Sequence, residues 1–169
     1  MAAEEPRTRQ TDIGSNPGRI VEKLKKENWQ VACAESCTGG MVVSALVDVP
    51  GVSDVLMESY VTYSNEAKGK LLGVSKEALE TWGAVSAQVA EQMARGAARE
   101  AGAQAAVAVT GIAGPEGGTP QKPVGLVYIG CYVNGKVCVT ENQFHGSRME
   151  IRRQAAKAAL SLLLDCLFQ

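Results

Sequence analysis

Residues 17–27 set Ile20, Val21 and Leu24 among lysines and glutamates at helical spacing, which predicts an amphipathic helix. The period then changes: Trp29 to Ala34 is apolar apart from Gln30 and reads as a buried strand. Met41 to Val49 is apolar again, which predicts a helix starting near Thr38 and stopped by Pro50-Gly51. Val55 to Tyr63 is rich in β-branched and aromatic residues and predicts a strand ending at Ser64-Asn65. Short helices are expected over 66–72, closed by Gly73, and from a Ser75 cap to near Gly83. A longer one from Ser86 to Ala101 puts Val89, Met93 and Ala97 on one face and stops at Gly102.

Ala105 to Val109 is short and wholly apolar, the pattern of a central strand covered on both faces. It runs into a glycine-rich loop, Thr110 to Thr119. Val124–Val133 and Val137–Phe144 are separated by Asn134-Gly135, a strong hairpin signal that requires an antiparallel pair. A last helix spans 147–168, with Ile151, Ala155, Ala158, Leu162 and Cys166 expected to face inward. There is no internal repeat. Interleaved helices and strands with one hairpin predict an α/β fold: a three-layer α/β/α domain with a mixed, partly antiparallel sheet.

At 169 residues the chain is large enough for one domain with a real core, placed at residues 17–169. Residues 1–16 are polar and aperiodic and read as a flexible tail. A formal net charge of -1 leaves no basic footprint for nucleic acid. No apolar run approaches membrane-spanning length, and no apolar stretch follows the N-terminal charges as in a signal peptide. Cysteines 33, 37, 131, 138 and 166 form no CxxC and stand beside a single histidine, so no metal site is expected. Free thiols and a cytoplasmic location follow as expectations.

The stretch Ala34-Glu-Ser-Cys-Thr-Gly-Gly40 gathers small polar residues where a strand ends and a helix begins. Ser36 or Thr38 serves there equally well as a helix cap or, for Ser36, as a nucleophile facing helix-start amides that bind an oxyanion. Glycines 39 and 40 allow close approach. His145 sits beside Gly146 with nothing else to recommend it as a base, so a nucleophilic serine would turn to lysine. Lys68 falls in the first turn of its helix, where the dipole and any burial favour the neutral amine; a solvated surface lysine is the other reading. The glycine-rich loop lacks the G-K-[ST] ending of a P-loop and is either a wall of backbone donors or a structural loop. Arg148 and Arg152, four apart, share a helix face that suits a phosphate or simply solvent.

Taken in order, AESCTGG at 34–40, PGVSDVLMESYVTYSNEAKGKLLGV at 50–74, GAVSAQVAEQMARGA at 83–97, AVTGIAGPEGGTPQKPVGLVYIG at 108–130 and GSRMEIRRQAAKAAL at 146–160 carry a resemblance. The chain resembles the C-terminal domain family of the competence/damage-inducible protein CinA, whose enzymatic members are nicotinamide-nucleotide amidohydrolases. The likeness covers residues 17–168 and has the stand-alone form, without the N-terminal domain of full-length CinA proteins. It implies hydrolysis of the carboxamide of nicotinamide mononucleotide, giving nicotinate mononucleotide and ammonia through an acyl-enzyme, with no cofactor. It implies a serine–lysine dyad of Ser36 and Lys68. Substrate contacts are expected from Cys37, Thr38 and Gly39, from Tyr63, Thr110 and Gly111, and from Arg148 and Arg152. Family members commonly carry Gly-Asp-Arg where this chain has Gly146-Ser147-Arg148. The resemblance and the hairpin together suggest a homo-oligomer. Two other readings share the same residues: a non-catalytic nucleotide-binding module, and an amidohydrolase of another pyridine amide.

Overall fold

In the computed structural model, which describes residues 16–169, Asn16–Glu27 forms α1 and buries Ile20, Val21 and Leu24. The expected tail lies outside the described residues except for Asn16, which opens this helix. Val31–Glu35 is β1, buried throughout, and Met41–Val47 is α2. After a 3-10 turn at Val52–Asp54 come β2, Tyr60–Val61, and three helices: α3 (Asn65–Leu72), α4 (Lys76–Thr81) and α5 (Ala87–Ala101). The serines at 64, 75 and 86 cap these helices, each accepting a backbone N–H three residues on. Ala105–Gly111 is β3, Leu126–Val133 is β4, Lys136–Gln143 is β5, and Arg148–Leu167 is α6.

The sheet runs β2-β1-β3-β4-β5, with β1 parallel to both β2 and β3 and the remaining pairs antiparallel. The α/β class, the central strand and the hairpin all match the sequence reading. Asn134 and Gly135 adopt φ values of 45° and 90°, both positive as the two-residue hairpin turn requires. Alternate residues of β1 and β3 feed two cores. Val31, Cys33, Val107 and Val109 meet α1, α2 and α6 on one face. Ala32, Ala34, Ala106 and Ala108 meet α3, α4 and α5 on the other. These alanines let α5 lie close to the sheet, and Gly130 extends the effect, since a Cβ there would come within 2.5 Å of the Ala90 carbonyl oxygen.

Three expectations are corrected. The strand placed at 55–63 shrinks to Tyr60–Val61 plus a lone bridge between Leu56 and Val31. It lies at the sheet edge, where the Ser59 hydroxyl, not a backbone carbonyl, accepts the Cys33 N–H, and Met57 and Val61 point to solvent. In α6 the inward face begins at Ile151 and Ala155 but continues through Ala159, Leu160, Leu163, Leu164 and Leu167. Ala158, Leu162 and Cys166 are only half-buried, because a helix of 3.6 residues per turn drifts away from the spacing assumed over five turns. The helix expected from Thr38 starts at Met41, for a reason that belongs to the site. Among the described residues no helix is long and apolar enough to cross a membrane.

Candidate active site

Chain order places β2 and β3 on opposite sides of β1, so the sheet reverses its winding between β1 and β3. Open α/β sheets leave a crevice at the carboxyl ends of such a pair. Ser36 follows β1 immediately, and its N–H donates to the carbonyl of Val109 at 3.0 Å, tying the turn to β3.

Glu35, the last residue of β1, is 1% exposed and carries its carboxylate under the start of α2. One oxygen accepts the N–H groups of Gly40 and Val42, at 2.9 and 3.1 Å; the other accepts that of Val43 at 2.9 Å. Neither Ser36 nor Thr38 is therefore a cap. Gly40 is the capping position, left-handed and without a side-chain bond of its own, and the Thr38 hydroxyl is buried with no partner among the described residues. The α2 amides are also unavailable to an oxyanion, contrary to the sequence expectation. What remains beside Ser36 is its own turn: among the described residues, the amides of Cys37 and Thr38 donate to no other residue. An acid at the end of an apolar strand, five residues before a glycine in the capping position, was the available signal for Glu35.

Lys68 rises from the first turn of α3, whose start is fixed by the Ser64 cap. It is 1% exposed, which rules out the solvated reading. Its Nζ lies 3.2 Å from Ser36 Oγ and donates to the carbonyl of Thr62 at 2.7 Å. No carboxylate among the described residues pairs with it. Burial holds the Lys68 pKa below that of an ordinary lysine. Cys37 shares the cavity, but burial pushes its thiol up to about 11, so it keeps its proton at neutral pH. A serine hydroxyl beside a buried amine of lowered pKa and two open amides can perform nucleophilic acyl chemistry.

The cavity above these groups measures about 280 Å³, near the lower end of the roughly 300–1,000 Å³ of small-ligand sites. Ser36, Cys37, Lys68, Tyr63, Thr110, Gly111 and Arg148 all line it. Asn65 and Glu116, which sequence reasoning passed over, line it too. Thr110 spends its hydroxyl proton on the Ala84 carbonyl at 2.7 Å, leaving an acceptor toward the cavity. Gly111 is required by packing, because a Cβ would come within 2.6 Å of the Val127 side chain. Arg148 stands at the mouth, donating to the Gly114 carbonyl at 2.7 Å and the Tyr63 hydroxyl at 3.0 Å. Thr38, Gly39 and Arg152 do not line the cavity. Arg152 lies behind the turn and donates to the carbonyls of Cys37 and Thr38, at 2.9 and 3.0 Å. Gly39, with φ of 58°, passes over that guanidinium. Ser147 caps α6 in a reciprocal box with Glu150 and so fixes the base of both arginines.

A larger cavity, about 410 Å³, opens at the opposite end of the parallel strands between Lys25, Trp29, Asp54 and Gln104. Its charged pair, Lys25 and Asp54, is satisfied internally at 3.1 Å, and no nucleophile faces it.

A three-layer α/β domain with a serine and a buried lysine at its switch point defines the class, and the comparisons supply the family. The model of the CinA C-terminal domain matches residues 15–167, and the chain belongs to that family. It is 54% identical over 144 residues to a CinA-like protein of Kosmotoga olearia, covering 85% of this chain and 35% of that one. The chain thus spans about a third of the length of the curated relatives it matches. Among solved structures it is similar to the competence/damage inducible protein CihA from Agrobacterium tumefaciens, with 43% identity, a TM-score of 0.89 and full coverage of both chains. It is also similar to a competence-damaged protein (CinA) superfamily protein from Escherichia coli, with 30% identity, a TM-score of 0.87 and 100% and 96% coverage.

Proposed function

We propose that the protein is a nicotinamide-nucleotide amidase, hydrolysing the carboxamide of nicotinamide mononucleotide to nicotinate mononucleotide and ammonia. The observation that carries this reading is the 3.2 Å contact of Ser36 Oγ with the Nζ of a buried lysine that has no carboxylate partner among the described residues. Neutral Lys68 takes the serine proton as Oγ attacks the carboxamide carbon. The amides of Cys37 and Thr38 receive the developing oxyanion. The Lys68 ammonium returns the proton to the departing nitrogen, ammonia leaves, and an acyl-serine remains. Lys68 then accepts a proton from water as the water attacks the ester and passes it to Oγ as the acyl–oxygen bond breaks, releasing Ser36 and the carboxylate product. Arg148 at the cavity mouth meets the phosphate, while Arg152 holds the Cys37–Thr38 carbonyls so that the opposing amides keep their aim.

The test is ammonia release from nicotinamide mononucleotide beside nicotinamide and nicotinamide riboside. Turnover of the mononucleotide well above both others is the expected result. Tight nucleotide binding without ammonia release would mean a binding module instead.

A further inference from the structure

The proposed reaction uses none of Cys131, Cys138 and Cys166, yet three elements bring them together. Cys131 in β4 and Cys138 in β5 are directly opposed in the antiparallel register, so their side chains share a face of the sheet. Cys166, in the last turn of α6, reaches the same place, and its Sγ lies 3.0 Å from that of Cys138. The two sulfurs are in contact, only about 1 Å beyond the ~2.05 Å of a disulfide bond. All three are free thiols; Cys131 is buried, whereas Cys138 and Cys166 are half-buried on an edge strand and a helix end. No group of three such side chains among the described residues has the geometry to hold a metal ion. The opposed Cys131 thiol lowers Cys138 to about 6, while Cys131 itself is pushed up.

We propose that Cys138 and Cys166 form a dithiol–disulfide redox site whose oxidant is a hydroperoxide, with Cys138 attacking and Cys166 resolving. The Cys138 thiolate attacks one peroxide oxygen; the O–O bond breaks, a sulfenic acid forms, and the first water leaves with the thiol proton. The Cys166 sulfur then attacks Cys138 Sγ, the S–S bond forms as the S–O bond breaks, and the second water carries off the Cys166 proton. Two thiols lose two electrons and hydrogen peroxide becomes two waters. The bond ties edge strand β5 to the C-terminal turn of α6. Arg148 and Arg152 lie at the other end of that helix, so the proposed amidase site is not altered, and the two readings stand or fall separately.

The experiment treats the full chain with equimolar hydrogen peroxide, alkylates the remaining thiols, and maps tryptic peptides without reduction. Lys136 separates Cys131 from Cys138, so the expected species is Val137–Arg148 linked to Ala158–Gln169. The intact mass falls by about 2 Da, thiol reductant restores it, and the thermal midpoint rises on oxidation. Cys166→Ser strands the sulfenic acid at Cys138, where dimedone labels it; Cys166→Ala repeats that arm if the serine variant fails to fold. No 138–166 peptide in the wild type, a link formed only between chains, or dimedone label on another cysteine overturns the proposal.

Discussion

The amine of Lys68 donates to the carbonyl of Thr62 at 2.7 Å, a shorter contact than the 3.2 Å that separates it from Ser36. A carbonyl only accepts, so one N–H is fixed on Thr62 in either protonation state. The lone pair of the neutral amine is left to face the serine hydroxyl.

Activity therefore rises with pH through a value below the ~10.4 of free lysine and levels off once the amine is neutral. Lys68→Arg stays charged, and its turnover falls by at least about 10²-fold, the low end of general-base contributions. Profiles of kcat/KM against pH for both proteins are the measurement. An arginine variant with the wild-type profile leaves Lys68 contributing charge alone.

The same burial lowers stability, with a definite sign. Because the folded pKa of Lys68 lies below the unfolded one, the unfolded chain binds more protons between the two, and stability rises with pH across that window. Lys68→Met removes the titration. Its thermal midpoint at pH 7 equals or exceeds that of the wild type, and its advantage shrinks as pH climbs to the unfolded pKa near ~10.4. Calorimetry at several pH values checks this, and a large loss at pH 7 contradicts it.

Ser36→Ala abolishes ammonia release but changes stability by less than about 1 kcal/mol, since the hydroxyl caps no helix. Chemical denaturation and a single-turnover assay separate the two effects.

Glu35→Gln sets an amide donor against backbone donors at one end of its three-bond cradle. Its stability falls by about 2–3 kcal/mol, and activity falls with it as the Ser36 turn loosens. Thr38→Val is the contrast: it replaces a buried unpartnered hydroxyl by a methyl, so its urea midpoint holds or rises.

Arg148→Met raises KM for the mononucleotide while leaving the riboside, which has no phosphate, unchanged. Arg152→Met instead lowers kcat for both substrates, because it releases the Cys37 and Thr38 carbonyls. Equal effects of the two variants on KM alone count against this division of labour.

Much of this arrangement was legible from residues. The alanines and valines of 105–109 announced a strand covered on both faces, and the serines at 64, 75 and 86 announced their helices. Lys68 in a first helical turn was readable, but its burial was not, because that depends on Thr62 and Ser36 arriving from other segments. The two arginines looked alike at i and i+4. Only tertiary packing sends one to the cavity mouth and the other behind the turn. Ser36 read equally as cap or nucleophile, because the residue that does the capping, Glu35, acts from outside the expected positions.

Arg152 braces the Cys37 carbonyl from 115 positions further along the chain. During synthesis the ribosome makes the turn long before its brace. A nascent chain that has emerged only through β5 already carries Ser36, Lys68 and the Val109 carbonyl that anchors the turn, but not the guanidinium that grips the Cys37 and Thr38 carbonyls. The proposed chemistry therefore waits for α6 to dock, an event that covers one face of the sheet and braces the turn at the same time.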